Sequence, residues 1–111
     1  MRQIKDLVQD KEKVWVYLST DEVAHGFITK AISEGFHWSN GEPISETTTG
    51  YLFGVHRDLS IAHLSMYIWC TAFQCHGKIP GTPMCIDYEK YAAGELDYIC
   101  HEPHIKGVIT N

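Results

Sequence analysis

The sequence of 111 residues predicts one α+β domain: a mainly antiparallel sheet with one long amphipathic helix, about residues 20–34, packed on it. Three observations lead there. Val14-Trp-Val-Tyr-Leu18 is an unbroken β-branched, aromatic and aliphatic run, the pattern of a strand covered on both faces. Ser19-Thr-Asp-Glu22 then reads as a capping box, followed by Val23, Ala24, Phe27, Ile28 and Ala31 at three- and four-residue spacing. Finally, Tyr51 to Trp69 reads as two long strands joined at Arg57-Asp-Leu-Ser60, a hairpin. A chain of this length supports one modest core and not two, so residues 1–111 form a single domain.

In chain order, Met1 to Lys13 is polar apart from Ile4, Leu7 and Val8, whose spacing fits a short helical turn or a loop leading into the first strand. Ser19 is the expected N-cap of the helix, and Gly35 supplies the left-handed residue that ends it. Phe36-His-Trp38 starts a second aromatic strand. Ser39 to Gly50 is a loop between strands, with Asn40-Gly41 favouring positive φ and Pro43 breaking any ladder. In the first hairpin strand both the Tyr51/Phe53/Val55 face and the Leu52/Gly54/His56 face are partly apolar, so this strand is central or covered. Thr71 to Gly77 continues beyond Trp69 after a bend, and Lys78-Ile-Pro-Gly-Thr-Pro-Met84 is an irregular connection. Ile86 to Glu95 forms a brief helix closed by Gly94, and Tyr98-Ile-Cys100 a short last strand.

Composition excludes several function classes. Nine Lys and Arg stand against fourteen Asp and Glu, net charge −5, and the cations are scattered, whereas duplex nucleic acid requires a clustered basic face. No apolar segment reaches the roughly 20 residues of a membrane span, and the N-terminus lacks the apolar stretch of a signal peptide, which points to the cytoplasm and to reduced thiols. Four Cys and seven His invite a metal reading, but Cys70-x4-Cys75 has no matching second knuckle. Cys75-His76 and Cys100-His101 set nucleophile beside base, yet neighbours on a strand face opposite ways. Neither a phosphate loop, nor an H-E-x-x-H helix, nor a G-x-S-x-G elbow is present. The sequence therefore favours a protein that is not an enzyme and needs no cofactor.

A binding reading has more to stand on. Arg57, the only arginine beyond position 2, sits in His56-Arg57-Asp58, and a forked guanidinium grips phosphate oxygens bidentately. Trp38, Tyr51, Trp69, Phe73 and Tyr88 offer flat faces for a base, and Gln74 and Asp87 offer partners for base or ribose edges.

The V-W-V-Y strand with its capped helix, the E-G-F-H-W segment with its Gly-Pro loop, the G-V-H-R-D-L-S-I-A-H hairpin and the later I-D-Y-E-K-Y-A-A-G-E-L-D-Y-I segment cover about two thirds of the chain. Together they resemble small phage proteins, and among these the first type of Thoeris anti-defence protein. The resemblance implies a sponge acting in the infected bacterial cytoplasm. Such a protein binds cyclic ADP-ribose-type immune signals, and in some members cyclic oligonucleotides, without cleaving them. It also implies a homodimer or higher homo-oligomer with ligand pockets at subunit contacts. Such sponges use aromatic rings and arginines, and cations are sparse here after Arg57, so His56, Lys90, His101 and His104 would have to assist. The rival reading is a phage inhibitor that masks a host defence protein such as a nuclease through direct contact. A third is a small hydrolase built on the Cys and His residues, with Cys75 and Cys100 as the cysteines whose replacement would test it.

Overall fold

The computed structural model describes residues 2–65 and 84–100. These residues form a five-stranded mixed sheet with helices, an α+β arrangement. The strands are β1 (Lys13–Tyr17), β2 (His37–Trp38), β3 (Leu52–His56), β4 (Ser60–His63) and β5 (Met84–Asp87), and the helices are α1 (Asp21–Ser33) and the short α2 (Tyr88–Ala92). In space the strand order is β2-β4-β3-β1-β5.

β1 lies inside the sheet, as its continuous apolar run requires, antiparallel to β3 and parallel to β5. Its alternation divides the two faces: Val14 and Val16 are fully buried toward the core, while Trp15 and Tyr17 are half-buried on the other side. β3 and β4 form the expected antiparallel hairpin, with Val55 opposite Ile61 and Phe53 opposite His63. β2 pairs with β4 in parallel, so two of the four neighbouring pairings are parallel and two antiparallel. The sheet is thus mixed rather than mainly antiparallel. The reason is topological: α1 carries the chain from β1 over the core face to the far edge, where β2 starts again in the same direction, and the β3–β4 hairpin fills the gap.

α1 forms on its predicted stripe. Ala24, Phe27, Ile28 and Ala31 are buried against the sheet, and Phe27 and Ile28 each contribute about 1.5–3 kcal/mol through burial. The cap is Thr20, whose hydroxyl accepts from the Val23 amide at 3.1 Å, and not Ser19, whose hydroxyl donates to Glu89 at 2.8 Å. In S-T-D-E both hydroxyls precede the helix, and the long-range bond to Glu89 takes Ser19 out of the competition. Gly35 follows the helix at φ +89°, as expected of a left-handed terminator.

The N-terminal segment is core rather than a lead-in. Ile4–Val8 is a 3-10 helix that buries Ile4, Leu7 and Val8. Its first amides, those of Ile4 and Lys5, donate to the Glu34 carboxylate at 2.8 and 3.0 Å. Arg2 donates to the carbonyls of Tyr91, Gly94 and Glu95 at the end of α2, its guanidinium lying over the Tyr91 and Tyr98 rings.

Met84, expected in an irregular connection, and Ile86-Asp87, expected in a helix, instead make β5, because β1 offers them a free parallel edge. The brief helix begins only at Tyr88, and Gly94 ends it at φ +85°. Tyr98 to Cys100 then runs antiparallel to β5, with Ile99 bridged to Ile86. The extension of the second hairpin strand to Trp69 and the Thr71–Gly77 continuation lie outside the described residues. No helix among the described residues is long and apolar enough to cross a membrane.

Candidate binding edge at β2 and the β3–β4 turn

Phe53 is fully buried under α1, stacked on Phe27 with centroids 5.7 Å apart, and Phe27 in turn meets the edge of Tyr88 at 5.0 Å. Toward the β2 edge, Phe53 touches two further rings: His63 at 4.7 Å and Trp38 at 6.3 Å. Trp38 and His63 stack at 5.0 Å with their planes 23° apart. Their positions follow from register. Trp38 is opposite Ile61, so it shares a face with His63, two residues further along β4. A continuous series of rings therefore leads from the core to the surface, where His63 is exposed and Trp38 half-buried.

Gly50 makes this packing possible. A Cβ there would lie 3.1 Å from the Phe53 ring and 3.2 Å from the His63 ring, and its φ of +145° disfavours any side chain. The 39–50 loop is held by its turn chemistry. Gly41, at φ +90°, donates to the Trp38 carbonyl, the Asn40 side chain accepts from Glu42, and Pro43 bridges back to His37 instead of ending all pairing. Next to Gly50, the Tyr51 hydroxyl donates to Asp21 at 2.9 Å, which raises its pKa and ties the loop to the start of α1.

The β3–β4 turn closes the same corner. Asp58 accepts from both the amide and the hydroxyl of Ser60, at 3.1 and 2.6 Å. These bonds hold its pKa below the ordinary carboxylate value, with smaller help from His56 and His37. Leu59 takes φ +69°, the left-handed residue of a three-residue hairpin loop, and its side chain packs on the core. Arg57 is exposed, its amide donating to the Glu12 carbonyl at 3.0 Å. Alternation places His37 and His56 on the face opposite Trp38, and His56 lies over Gly54 near Trp15.

Of the sequence-predicted residues, Trp38 is on the edge strand β2, Arg57 is in the β3–β4 turn, and His56 ends β3, two strands in from β2 and on the opposite face from Trp38. Tyr88 and Asp87 do not join them. Tyr88 is a core side chain, 6% exposed, and its burial pushes the hydroxyl up to about 12. Asp87 is on the outer strand β5, about 19 Å from β2 at the usual strand spacing, with a buried Oδ1 that has no hydrogen-bond partner among the described residues. Trp69, Phe73, Gln74 and His101 lie outside the described residues, as do Cys70, Cys75, His76 and His104. Sequence reasoning missed His63 and His37. The signal for His63 was present, since pairing the predicted hairpin strands about the 57–60 turn sets it opposite Phe53.

Other chemistries find less here. Among the described residues no group of three His, Cys, Asp or Glu is placed to hold a metal ion. Burial pushes the thiols of Cys85 and Cys100 up to about 12, which keeps both mostly protonated at neutral pH and makes them slow nucleophiles. Compared with protein-family models, curated proteins and solved structures, the chain matches none of them.

Proposed function

We propose that this protein captures a small, flat, anionic molecule of the cyclic ADP-ribose class and retains it unchanged, acting as a sponge for a signal. The observation that carries this reading is the Trp38–His63 stack, backed by Phe53 and reaching the surface at the sheet edge, with His37 beside Trp38 on β2, Arg57 in the β3–β4 turn and His56 at the end of β3. A base laid on such rings gains about 1–3 kcal/mol. A pyrophosphate is matched by a guanidinium fork. Because β2 is a two-residue edge strand, a ligand seated on it meets Trp38 on one face and His37 on the other, while His56 is two strands further in. Retention without conversion asks for a preformed surface and fixed donors, and for no poised nucleophile.

The test is calorimetric titration with cyclic ADP-ribose isomers and cyclic dinucleotides. Trp38→Ala is expected to weaken the bound isomer roughly 10- to 100-fold, the equivalent of the stacking energy above. Arg57→Ala should weaken it too, with the fold retained by circular dichroism. If the wild-type protein binds none of these molecules the reading fails, and co-purification with a host defence protein would then favour the masking inhibitor. Cleavage of the titrant would instead favour an enzyme.

A further inference from the structure

Away from the β2 edge, on the sheet face opposite α1, two cysteines stand directly across from one another. Ile86 is bridged antiparallel to Ile99, which sets Cys85 opposite Cys100, and the Cys100 amide donates to the Cys85 carbonyl at 2.9 Å. The flanking bond from the Asp87 amide to the Tyr98 carbonyl, at 2.8 Å, fixes the same register. Residues opposed in this way have Cα atoms about 5.5 Å apart, near the commonest separation for bridged cysteines. Both side chains belong to the same small cluster with Leu52, Trp15 and Tyr17, so they share a face. Among the described residues, neither is in a disulfide.

We propose that Cys85 and Cys100 are a cross-strand dithiol that closes to a disulfide under a low-molecular-weight disulfide oxidant, fastening the Tyr98–Cys100 segment to β5. Cys100, the more exposed of the two, reacts first. Its thiolate attacks one sulfur of the oxidant, the oxidant's S–S bond breaks, and one small thiol leaves with a proton from solvent. Cys85, after losing its own proton to solvent, attacks the Cys100 sulfur and displaces the second small thiol. The two protein thiols are oxidised by two electrons, and one oxidant disulfide is reduced to two thiols. Burial, which raises both thiols to about 12 with the Asp87 carboxylate adding to the effect at Cys100, makes the reaction slow. It also makes the finished bond slow to reduce, because high-pKa thiols are poor leaving groups. Closure encloses α2 together with the Tyr91–Tyr98 ring contact that Arg2 covers.

The experiment uses C70S/C75S protein, which leaves this pair as the remaining thiols, exposed to oxidised glutathione. Expected are loss of both thiols to titration under denaturing conditions, no retained glutathione by mass, and a Tm raised on the order of 10 °C and restored by reductant. Adding C100S should abolish the Tm rise. If C70S/C75S does not fold, a non-reducing peptide map of the oxidised wild-type protein is expected to join the Cys85 and Cys100 peptides. A stable glutathione adduct without closure, titratable thiols after prolonged exposure, or a map joining other cysteines would overturn the proposal.

Discussion

Glu34 offers a perturbation whose sign, and not only its size, separates two accounts. It is the C-cap of α1, where a negative charge opposes the helix dipole by about 0.3–1 kcal/mol. On that ground alone Glu34→Ala would stabilise the protein. Its two carboxylate oxygens, however, accept from the Ile4 and Lys5 amides at 2.8 and 3.0 Å and so cap the N-terminal 3-10 helix. Hydrogen bonds to a charged acceptor contribute about 1.5–3 kcal/mol when buried, and here one amide is part-buried and the other exposed. Taking the low end for the first and under 1 kcal/mol for the second, then subtracting the dipole term, leaves a net loss of about 1–2 kcal/mol. In urea unfolding followed by far-UV circular dichroism, Glu34→Ala should lower stability by that amount, and Tm by roughly 10 °C. Glu34→Gln, which keeps one acceptor and has no charge, should fall between. A Glu34→Ala protein as stable as wild type, or more so, would refute the assignment of Ile4–Val8 as a structural cap-and-core element.

Thr20→Ala should cost about 1 kcal/mol in the same assay and Ser19→Ala under about 0.5 kcal/mol; equal costs would contradict Thr20 as the cap. Gly50→Ala forces the Phe53 and His63 rings apart and is expected to destabilise by about 1–3 kcal/mol while reducing the near-UV aromatic dichroism; an unchanged spectrum would show that the ring stack does not depend on this contact. Tyr88 and Tyr91 are raised from 10.0, and Cys85 and Cys100 from 9.0, all to about 12, chiefly by burial. The unfolded chain therefore gives up these protons first, so the stability they contribute is fully present below pH 9 and falls progressively as pH rises through 12. Urea midpoints measured along that range should decline, and less steeply in Tyr91→Phe, which lacks the hydroxyl that donates to Gln3 at 2.6 Å.

Local rules made much of the fold legible. β1, the α1 stripe, Gly35, the 57–60 turn and Gly94 are each specified by residues close together in sequence, where periodicity and left-handed positions act. What was not legible depends on partners far along the chain. Parallel pairing of β5 with β1 is invisible in Met84-Cys-Ile-Asp87, a short segment after Pro83 that is a strand only because β1 presents an edge. The core role of Ile4, Leu7 and Val8 depends on Glu34, and the choice of Thr20 over Ser19 depends on Glu89. At the candidate edge, Trp38 and Arg57 were readable as residue types suited to a nucleotide. Their separation from Asp87 and Tyr88 was not, because alternation assigns a side chain to a face but strand order decides which faces meet.

The most direct measurement of the sponge reading is to mix the purified protein with cyclic ADP-ribose isomers and cyclic di- and trinucleotides, remove unbound material, denature by heat, and identify the released molecules by mass spectrometry. Intact ligand recovered only after denaturation, and lost in Trp38→Ala, is the expected result. Recovery of nothing, or of a chemically altered product, would contradict it.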